Sequence, residues 1–434
     1  MCSLTMFTTL CRTRIGDAWL PGLLVLLSSF ALVSSGAAEP LTIERAVALA
    51  RQHNPDILAT RQQIGVARGR LQKARYWNPF NPEIGGGAVQ RRFDGGGSDV
   101  QRSASVSLEV EVAGQRGQRI DEARQNLTGT TAQVADVERL VVAQVKEAFY
   151  RVLYLRRRLQ LFRKVERLNQ RLRHASAERF KSGEVPKLEA NLAVVRHSQS
   201  RKDTLAAARD YRNGVRGLER LLGAEPTGTT VLSGDLAVRP VKVDADALVE
   251  TALRIRPDLR ARDAEIGRVQ AETALTKRLI VPNPVLRGTY DEETESAGSR
   301  DRIIGGAVSI PLPIFDRKQA ELTALAAERA RANYQRDATA LTVKTEVRDA
   351  YRSYEAAREG VQVFEAEAVQ RIAENFRFIE TAYREGKIDL LQLVVVQNDL
   401  VTAQFSYLDS LWDYWLARTA LERAVGRPLK EGPS

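Results

Sequence analysis

The chain has 434 residues, with 65 lysines and arginines against 54 aspartates and glutamates, and a formal charge of +11. The two signs are interleaved along helical patterns, as in Arg201-Lys202-Asp203 and Glu328-Arg329, which describes solvated helix faces and not a nucleic-acid surface. Cys2, Cys11, Met1 and Met6 all lie near the N-terminus and His53, His174 and His197 are dispersed, so beyond the first residues there is neither a disulfide framework nor a soft metal site.

Residues 1–38 read as an export signal. Arg12 and Arg14 form a basic start, Leu20 to Val33 an apolar run, and Gly36-Ala37-Ala38 a small-residue cleavage site before Glu39. The apolar run falls short of the roughly 20 residues that a spanning helix needs. No later stretch approaches that length.

The rest of the chain repeats itself. Asn54-Pro55-Asp56 returns as Arg256-Pro257-Asp258, Asn81-Pro82 as Asn283-Pro284, Val106-Ser107-Leu108 as Val308-Ser309-Ile310 and Ala148-Phe149 as Ala350-Tyr351, each at 202 residues. Phe180-Lys181-Ser182-Gly183 becomes Tyr383-Arg384-Glu385-Gly386 and Leu222-Gly223 becomes Val425-Gly426, at 203. A shift held over this length predicts tandem duplication of one unit. The expected division is a first repeat over 39–226, a linker over 227–244 and a second repeat over 245–428.

Each half has the same order of elements. Leu41 to Tyr76 and Ala245 to Leu279 predict helices with Thr42 and Asp244 as N-caps, broken or kinked at Asn54-Pro55 and Arg256-Pro257 because proline cannot donate to the ladder. Strands follow. Ala104, Val106, Leu108, Val110 and Val112 alternate with Ser103, Ser105, Ser107, Glu109 and Glu111, a period of two. Ile304, Val308, Ile310 and Leu312 are their counterparts, and Glu83 to Gln90 and Val285 to Asp291 are the partner strands. Phe93 to Ser98 and Glu295 to Ser299 have turn composition.

A very long helix comes next. Between Thr130 and Ser182 there is no glycine or proline, and Val134, Val137, Val141, Val145, Ala148, Val152, Leu155, Leu159 and Phe162 step by three or four. A helix from Gln115 to Lys181 would reach about 100 Å at about 1.5 Å per residue. Lys318 to Glu385 is its counterpart, interrupted by Gly360. After Gly183 and Gly386 new periodic segments, Leu188 to Leu222 and Leu390 to Val425, fold each long helix back as a hairpin, with Pro186 and Asp389 at their starts.

An exported chain with alternating strands of about ten residues suits an outer-membrane barrel. A sheet in lipid must close, and four strands are too few when such barrels start at about eight. Several chains must therefore contribute, with Ser105, Ser107, Glu109 and Glu111 facing a wet lumen and Val106, Leu108 and Val110 facing lipid.

This order, with its duplication, resembles the TolC family of outer-membrane efflux proteins over essentially the whole chain beyond the signal. Leu41 to Val47 followed by Asn54-Pro55 is similar to the family's opening helix, and Glu111 to Gly117 to its strand-to-helix crossing. Val308 to Arg317 is similar to the pattern of the heavy-metal-efflux, CzcC-like branch. The resemblance implies a mainly α protein with membrane β: a homotrimer whose twelve-stranded barrel in outer-membrane lipid continues as a helical coiled-coil barrel through the periplasm. It implies that the hairpin tips, Ser182-Gly183-Glu184 and Glu385-Gly386-Lys387, meet a periplasmic adaptor that couples the duct to an inner-membrane pump of RND type, with divalent heavy-metal cations as candidate cargo. The family's acidic constriction just after the second tip corresponds to Gln392 and Val395, with Asp389 the nearest acid. Gln392 cannot carry a carboxylate, and Asp389 stands where a helix cap belongs.

No catalytic, cofactor-binding or metal-ligating constellation is present in the sequence. The expected protein is a passive duct and not an enzyme, and it needs no cofactor. A periplasmic adaptor is the rival reading, but it would carry one hairpin without the duplication. A purely structural coiled coil leaves the strands unexplained.

Overall fold

The computed structural model describes residues 40–429 apart from 239–240, 242, 295–297 and 368. The expected signal segment, with both cysteines, and Glu295-Ser296-Ala297 of the second strand connection lie outside the described residues.

The chain opens with α1 (Ile43–His53) and α2 (Pro55–Ala74), where one kinked helix was also an admissible expectation. The break is complete because Asn54 is extended (φ −63°, ψ 124°) and its Oδ1 accepts from the N–H groups of Asp56 at 3.0 Å and Ile57 at 3.2 Å. Those are the orphan donors of a new helix, and Pro55 occupies the position that needs none. Thr42 caps α1 by accepting from the Arg45 N–H.

Two strands follow, β1 (Glu83–Arg92) and β2 (Ser98–Glu109), then the helices α3 (Gln115–Lys181) and α4 (Lys187–Leu221). The second half repeats the order: α5 (Ala245–Ile255), α6 (Pro257–Arg278), β3 (Val285–Thr294), β4 (Arg300–Ser309), α7 (Gln319–Glu367), α8 (Val369–Arg384) and α9 (Leu390–Val425). The 67 residues of α3 are helical throughout, with Gly117 and Gly129 in its first turns included. Its counterpart starts one residue later than expected, because Lys318 has φ 62°. Gly360 does not interrupt α7.

The strands form one antiparallel sheet in the order β1-β2-β3-β4. Ile84 faces Val106, Leu108 faces Leu286, and Leu286 faces Val308. Two strand limits differ from the alternation pattern. Ser98 is the first residue of β2 and not the end of the turn, pairing with Arg92. At the other end β2 stops at Glu109, so Val110, Glu111 and Val112 lie beyond it. The Val110 N–H donates to Pro284 O at 3.0 Å, and Glu111 turns into the strand–helix junction to pair with Arg119. Arg119 also donates to the carbonyls of Ala74 and Tyr76, so one guanidinium gathers the end of α2, the end of β2 and the start of α3. Glu111 is therefore a junction residue and not part of a lumen wall.

The main core gathers α1, α3, α4, α5, α7 and α9 around Phe149, Leu153, Leu218, Tyr354, Tyr414 and Leu421. It also takes in the expected linker. Leu232 and Leu236 are buried there, Arg156 donates to the carbonyls of Leu232 and Gly234, and Trp415 Nε1 donates to Leu236 O at 3.2 Å. Leu41 bridges Leu232 in a parallel fashion. The segment between the halves is thus a packed strap. Its start is held by Glu219, whose carboxylate accepts from the N–H groups of Gly228 and Thr230 and from the hydroxyls of Thr227 and Thr230.

Candidate functional site

Two regions carry the candidate functional residues: the faces of the sheet and the ends of the helical hairpins.

Directly paired residues of an antiparallel sheet project from the same face. Ser105, Ser107 and Glu109 of β2 share a face with Thr289, Arg287 and Val285 of β3, and the row continues through Asp291 and Glu293 toward the hairpin end. The opposite face carries Ile84, Val106, Leu108, Leu286, Tyr290, Ile304 and Val308. The two faces thus differ in polarity as the alternation requires. Neither is covered: Ile84 is 86% and Ile304 84% exposed. At the foot of the strands Tyr76, Trp77 and Phe315 are exposed too. Glu109 is not a free lumen carboxylate, since its Oε1 accepts from Asn283 Nδ2 at 2.8 Å and Asn283 Oδ1 accepts from buried Gln115.

The two hairpin tips have the same backbone solution. In the first, the Gly183 N–H donates to Phe180 O at 3.1 Å and the Glu184 N–H to Arg179 O at 2.9 Å. In the second, the Gly386 N–H donates to Tyr383 O at 3.0 Å and the Lys387 N–H to Ala382 O at 2.9 Å. Both are Schellman closures, which need a residue in the left-handed region; Gly183 has φ 79° and Gly386 φ 71°. The side chains then diverge. Glu184 accepts from Ser182 Oγ at 2.8 Å and pairs with Arg179 at 3.3 Å, whereas Lys387 pairs with Glu385 at 2.7 Å. One tip therefore presents an acid where the other presents a base.

Asp389 and Gln392, the candidate constriction, form a reciprocal cap at the start of α9. The Gln392 N–H donates to Asp389 Oδ1 at 2.7 Å and the Asp389 N–H to Gln392 Oε1 at 3.3 Å. Capping accounts for both side chains.

Sequence reading missed the residue that ties the tips together. Tyr383 of α8 is 1% exposed; its hydroxyl lies 3.0 Å from Ser176 Oγ on α3 and donates to Glu189 Oε1 on α4 at 2.9 Å. The Arg179 guanidinium stands over its ring at 5.3 Å. Burial pushes the Tyr383 hydroxyl above its ordinary pKa; the Ser176 hydrogen bond opposes this and Glu189 reinforces it. A polar tyrosine at this position, where the first half has Phe180, was the available signal.

Higher up, α3 and α9 lie side by side along a run of aromatic pairs. Tyr150 stacks on Trp415 with centroids at 3.9 Å, Tyr154 meets Trp412 at 5.7 Å, and Phe162 meets Phe405 at 4.8 Å. Asn169 and Gln397 add a buried hydrogen bond of 3.1 Å nearer the tips. Among the described residues, no group of three or more His, Asp or Glu side chains is placed to hold a metal, and no helix is long and apolar enough to cross a membrane.

The family model for outer membrane efflux proteins matches the chain twice, over residues 46–224 and 248–427. The chain belongs to the outer membrane efflux protein family. Within it, the chain is a CzcC-like member of the TolC type: it is 25% identical to the cobalt-zinc-cadmium resistance protein CzcC of Cupriavidus metallidurans over 90% of this chain and 91% of that one. Solved structures share the fold. A membrane protein from Pseudomonas aeruginosa superposes with a TM-score of 0.72 at 21% identity, covering 90% of this chain and 92% of that one. CusC superposes at 0.71 with 15% identity over 89% and 92% of the two chains. The open-state MtrE channel of Neisseria gonorrhoeae superposes at 0.71 with 14% identity over 90% of each. CusC and MtrE are described as channels, and CzcC as a resistance protein.

Proposed function

We propose that this protein is the outer-membrane exit duct of a tripartite efflux system, a homotrimer that passively conducts divalent heavy-metal cations from a periplasmic adaptor and an inner-membrane RND-type pump to the exterior. The observation that carries the reading is the sheet. Four strands with two unpaired edges, and an apolar face on which Ile84 and Ile304 are almost fully exposed, are poorly suited to water and suit lipid once three copies close twelve strands. Exposed Tyr76, Trp77 and Phe315 at the strand feet suit the aromatic belt of a membrane interface. The polar row of Ser105 and Ser107 then lines the pore, with Glu109 on the same face but held at its foot by Asn283. The α3–α4 and α7/α8–α9 hairpins build the periplasmic tunnel, and their tips are the surface offered to the adaptor.

Metal cargo rests on the name of the CzcC relative. Nothing in the duct needs to choose the ion, so selection belongs to the pump. The test is deletion of the gene in a strain without a redundant duct, followed by growth on zinc, cobalt and cadmium and on dyes and antibiotics. Lowered metal tolerance restored by the intact gene is expected, with the protein recovered from outer-membrane fractions as a heat-sensitive trimer. Unchanged metal tolerance with lost drug tolerance would overturn the cargo; recovery without detergent would overturn the duct.

A further inference from the structure

The sheet sorts charge by face at its hairpin end, and the sorting begins where the apolar face stops. On the face of Ile84, Val106 and Leu286, the last apolar row across the strands is Gly86, Ala104, Tyr290 and Ile304. The next row is Ala88, Arg102, Glu292 and Arg302. Beyond it stand Arg300, paired with Thr294, and Arg92, paired with Ser98. Directly paired residues share a face, and a step of two residues along a strand rises by about 7 Å. Arg102 and Arg302 therefore lie one step above Tyr290 and Ile304, and Arg300 and Arg92 one and two steps further.

The opposite face has the opposite sign. Its hairpin end carries Asp99 on β2, Asp291 and Glu293 on β3 and Asp301 on β4, against Arg91 on β1. On the apolar side four arginines stand against one glutamate, an excess of three positive charges. Charges that served only to blunt free strand edges would need no sorting by face, and Arg102 belongs to β2, an inner strand.

The type of base matters as well. Every basic residue of the four strands is an arginine. A guanidinium is planar and weakly hydrated, and its fork matches a pair of phosphate oxygens. Arg102 has Glu292 at 3.6 Å. Among the described residues, Arg92, Arg300 and Arg302 are exposed and have no acidic partner. Three forks are thus open to an anion that comes from outside the chain.

We propose that this arginine band binds the phosphate groups of a phosphorylated glycolipid in the outer leaflet of the membrane. The inference rests on the duct reading, which puts the apolar rows in hydrocarbon, and it names what lies directly beyond them. Aromatic side chains mark the boundary between hydrocarbon and headgroups. Tyr290 holds that place in the last apolar row, so the arginines stand at headgroup depth. The contact also fixes the depth of the barrel. Sliding it toward the periplasm would draw the band into hydrocarbon, a costly place for arginine.

Arg92→Gln, Arg300→Gln and Arg302→Gln are combined in the full-length protein, with Arg91→Gln, one residue away on the other face, as the control. Binding of bisphosphorylated and monophosphorylated lipid A to each detergent-extracted protein is titrated by native mass spectrometry. A basic residue at a membrane surface changes association about fivefold, so the triple variant should lose about a hundredfold in affinity for the bisphosphorylated lipid. Arg91→Gln should bind as the parent, the parent should prefer two phosphates to one, and inorganic phosphate should not displace the lipid. Equal affinity of the triple variant and the parent would overturn the site. An equal loss in Arg91→Gln would overturn it too, since net charge and not the band would then be at work. Displacement by inorganic phosphate would show a site for the free ion and not for the lipid. If the triple variant fails to assemble, Arg92→Gln against Arg91→Gln makes the same comparison at about fivefold. Each of these failures leaves the duct standing when the parent is recovered from outer membranes; recovery of the parent without detergent would overturn both.

Discussion

Arg256 Nη1 donates to Ala424 O at 3.0 Å, and Asn54 Nδ2 donates to Leu221 O at 2.8 Å, 202 and 203 residues earlier. The two halves thus satisfy the same orphan carbonyl, at the end of a return helix, with different side chains at the same helix break. Asn54 also caps the following helix. Arg256 cannot cap, and instead pairs with Asp258 at 2.6 Å and Glu346 at 2.6 Å. Burial works against the Arg256 charge, but these carboxylates more than offset it and raise its pKa; burial likewise opposes the Asp258 charge, and Arg256 holds it below the ordinary value.

Arg256→Met should accordingly destabilise the protein by about 2 kcal/mol, mainly by stranding the Ala424 carbonyl and the Asp258 carboxylate. Half-exposed Glu346 rehydrates and adds little. Asn54→Ala should cost a similar amount through the cap and the Leu221 carbonyl. Thermal unfolding of each variant in detergent checks both values. Loss of less than about 0.5 kcal/mol would mean that these contacts are replaced by water.

Gly223→Ala should be far worse than Gly183→Ala. Both glycines have positive φ, 71° and 79°. A Cβ at Gly183 meets nothing within 4 Å, whereas at Gly223 it would collide with the backbone carbonyl of His53. The tip substitution should cost about 1 kcal/mol of backbone strain, and the core substitution more than about 3 kcal/mol or the yield of folded protein. Comparing trimer recovery and melting temperature of the two variants decides the point.

Much of this was legible before any coordinates. The repeat predicts the order of elements, the breaks at Asn54 and Arg256 follow from proline, and α3 runs unbroken through the glycine- and proline-free stretch from Thr130, reaching back across Gly129 and Gly117 to Gln115. The strand end at Glu109 was not legible, because alternation continues through Val112 while Arg119, a residue of the next helix, draws Glu111 aside. The packing of the linker was not legible either, since the burial of Leu232 and Leu236 depends on helices brought together from both halves. The α3–α9 aromatic pairs and the Tyr383 hydroxyl contacts join residues roughly 190 to 270 apart, beyond the reach of any local pattern. For the candidate site, the hairpin turns at Gly183 and Gly386 and the polar sheet face were legible as geometry; the differing chemistry of the two tips was visible only as differing letters.

Acid should loosen the strap between the halves. Burial opposes the charge of Glu219, but the four donors from Thr227, Gly228 and Thr230 outweigh it and its pKa is lowered. A carboxylate with a depressed folded pKa contributes its full stabilisation above the unfolded value of about 4.3, and loses it as pH falls through the lower folded value. Glu219→Gln should therefore be less stable than the parent at pH 7, and the gap should shrink toward pH 3. Melting temperatures of both proteins across that range give the answer; a constant gap would show that shape, and not charge, holds the strap.

Tyr383→Phe removes one hydroxyl from a buried contact between α8, α3 and α4, leaving Ser176 and Glu189 without that partner. The ring and its contact with Arg179 persist. The expected effect is local, about 1 kcal/mol, because the main core around Tyr354 and Tyr414 is distant in sequence and built from other residues. Hydrogen exchange should quicken in the last turns of α8 and the first turn of α4 while the global melting temperature shifts little. Uniformly faster exchange along α3 would show instead that the tips are part of the global cooperative unit.

Lys387→Glu is the cleanest probe of what the tips meet. The Lys387–Glu385 pair is largely exposed, and pairs of that kind contribute about 0–1 kcal/mol, so the fold should tolerate the reversal. Glu184→Lys is less clean, because Glu184 also accepts from Ser182 and Arg179 and its loss disturbs the closure itself. If a partner reads the second tip by charge, Lys387→Glu should lower metal tolerance without changing trimer yield or melting temperature, and the loss should be greater at low ionic strength, where exposed charges are least screened. Lys387→Arg should behave as the parent. Full tolerance in Lys387→Glu, at wild-type expression, would show that recognition at this tip runs through the backbone turn or the neighbouring apolar residues and not through its charge.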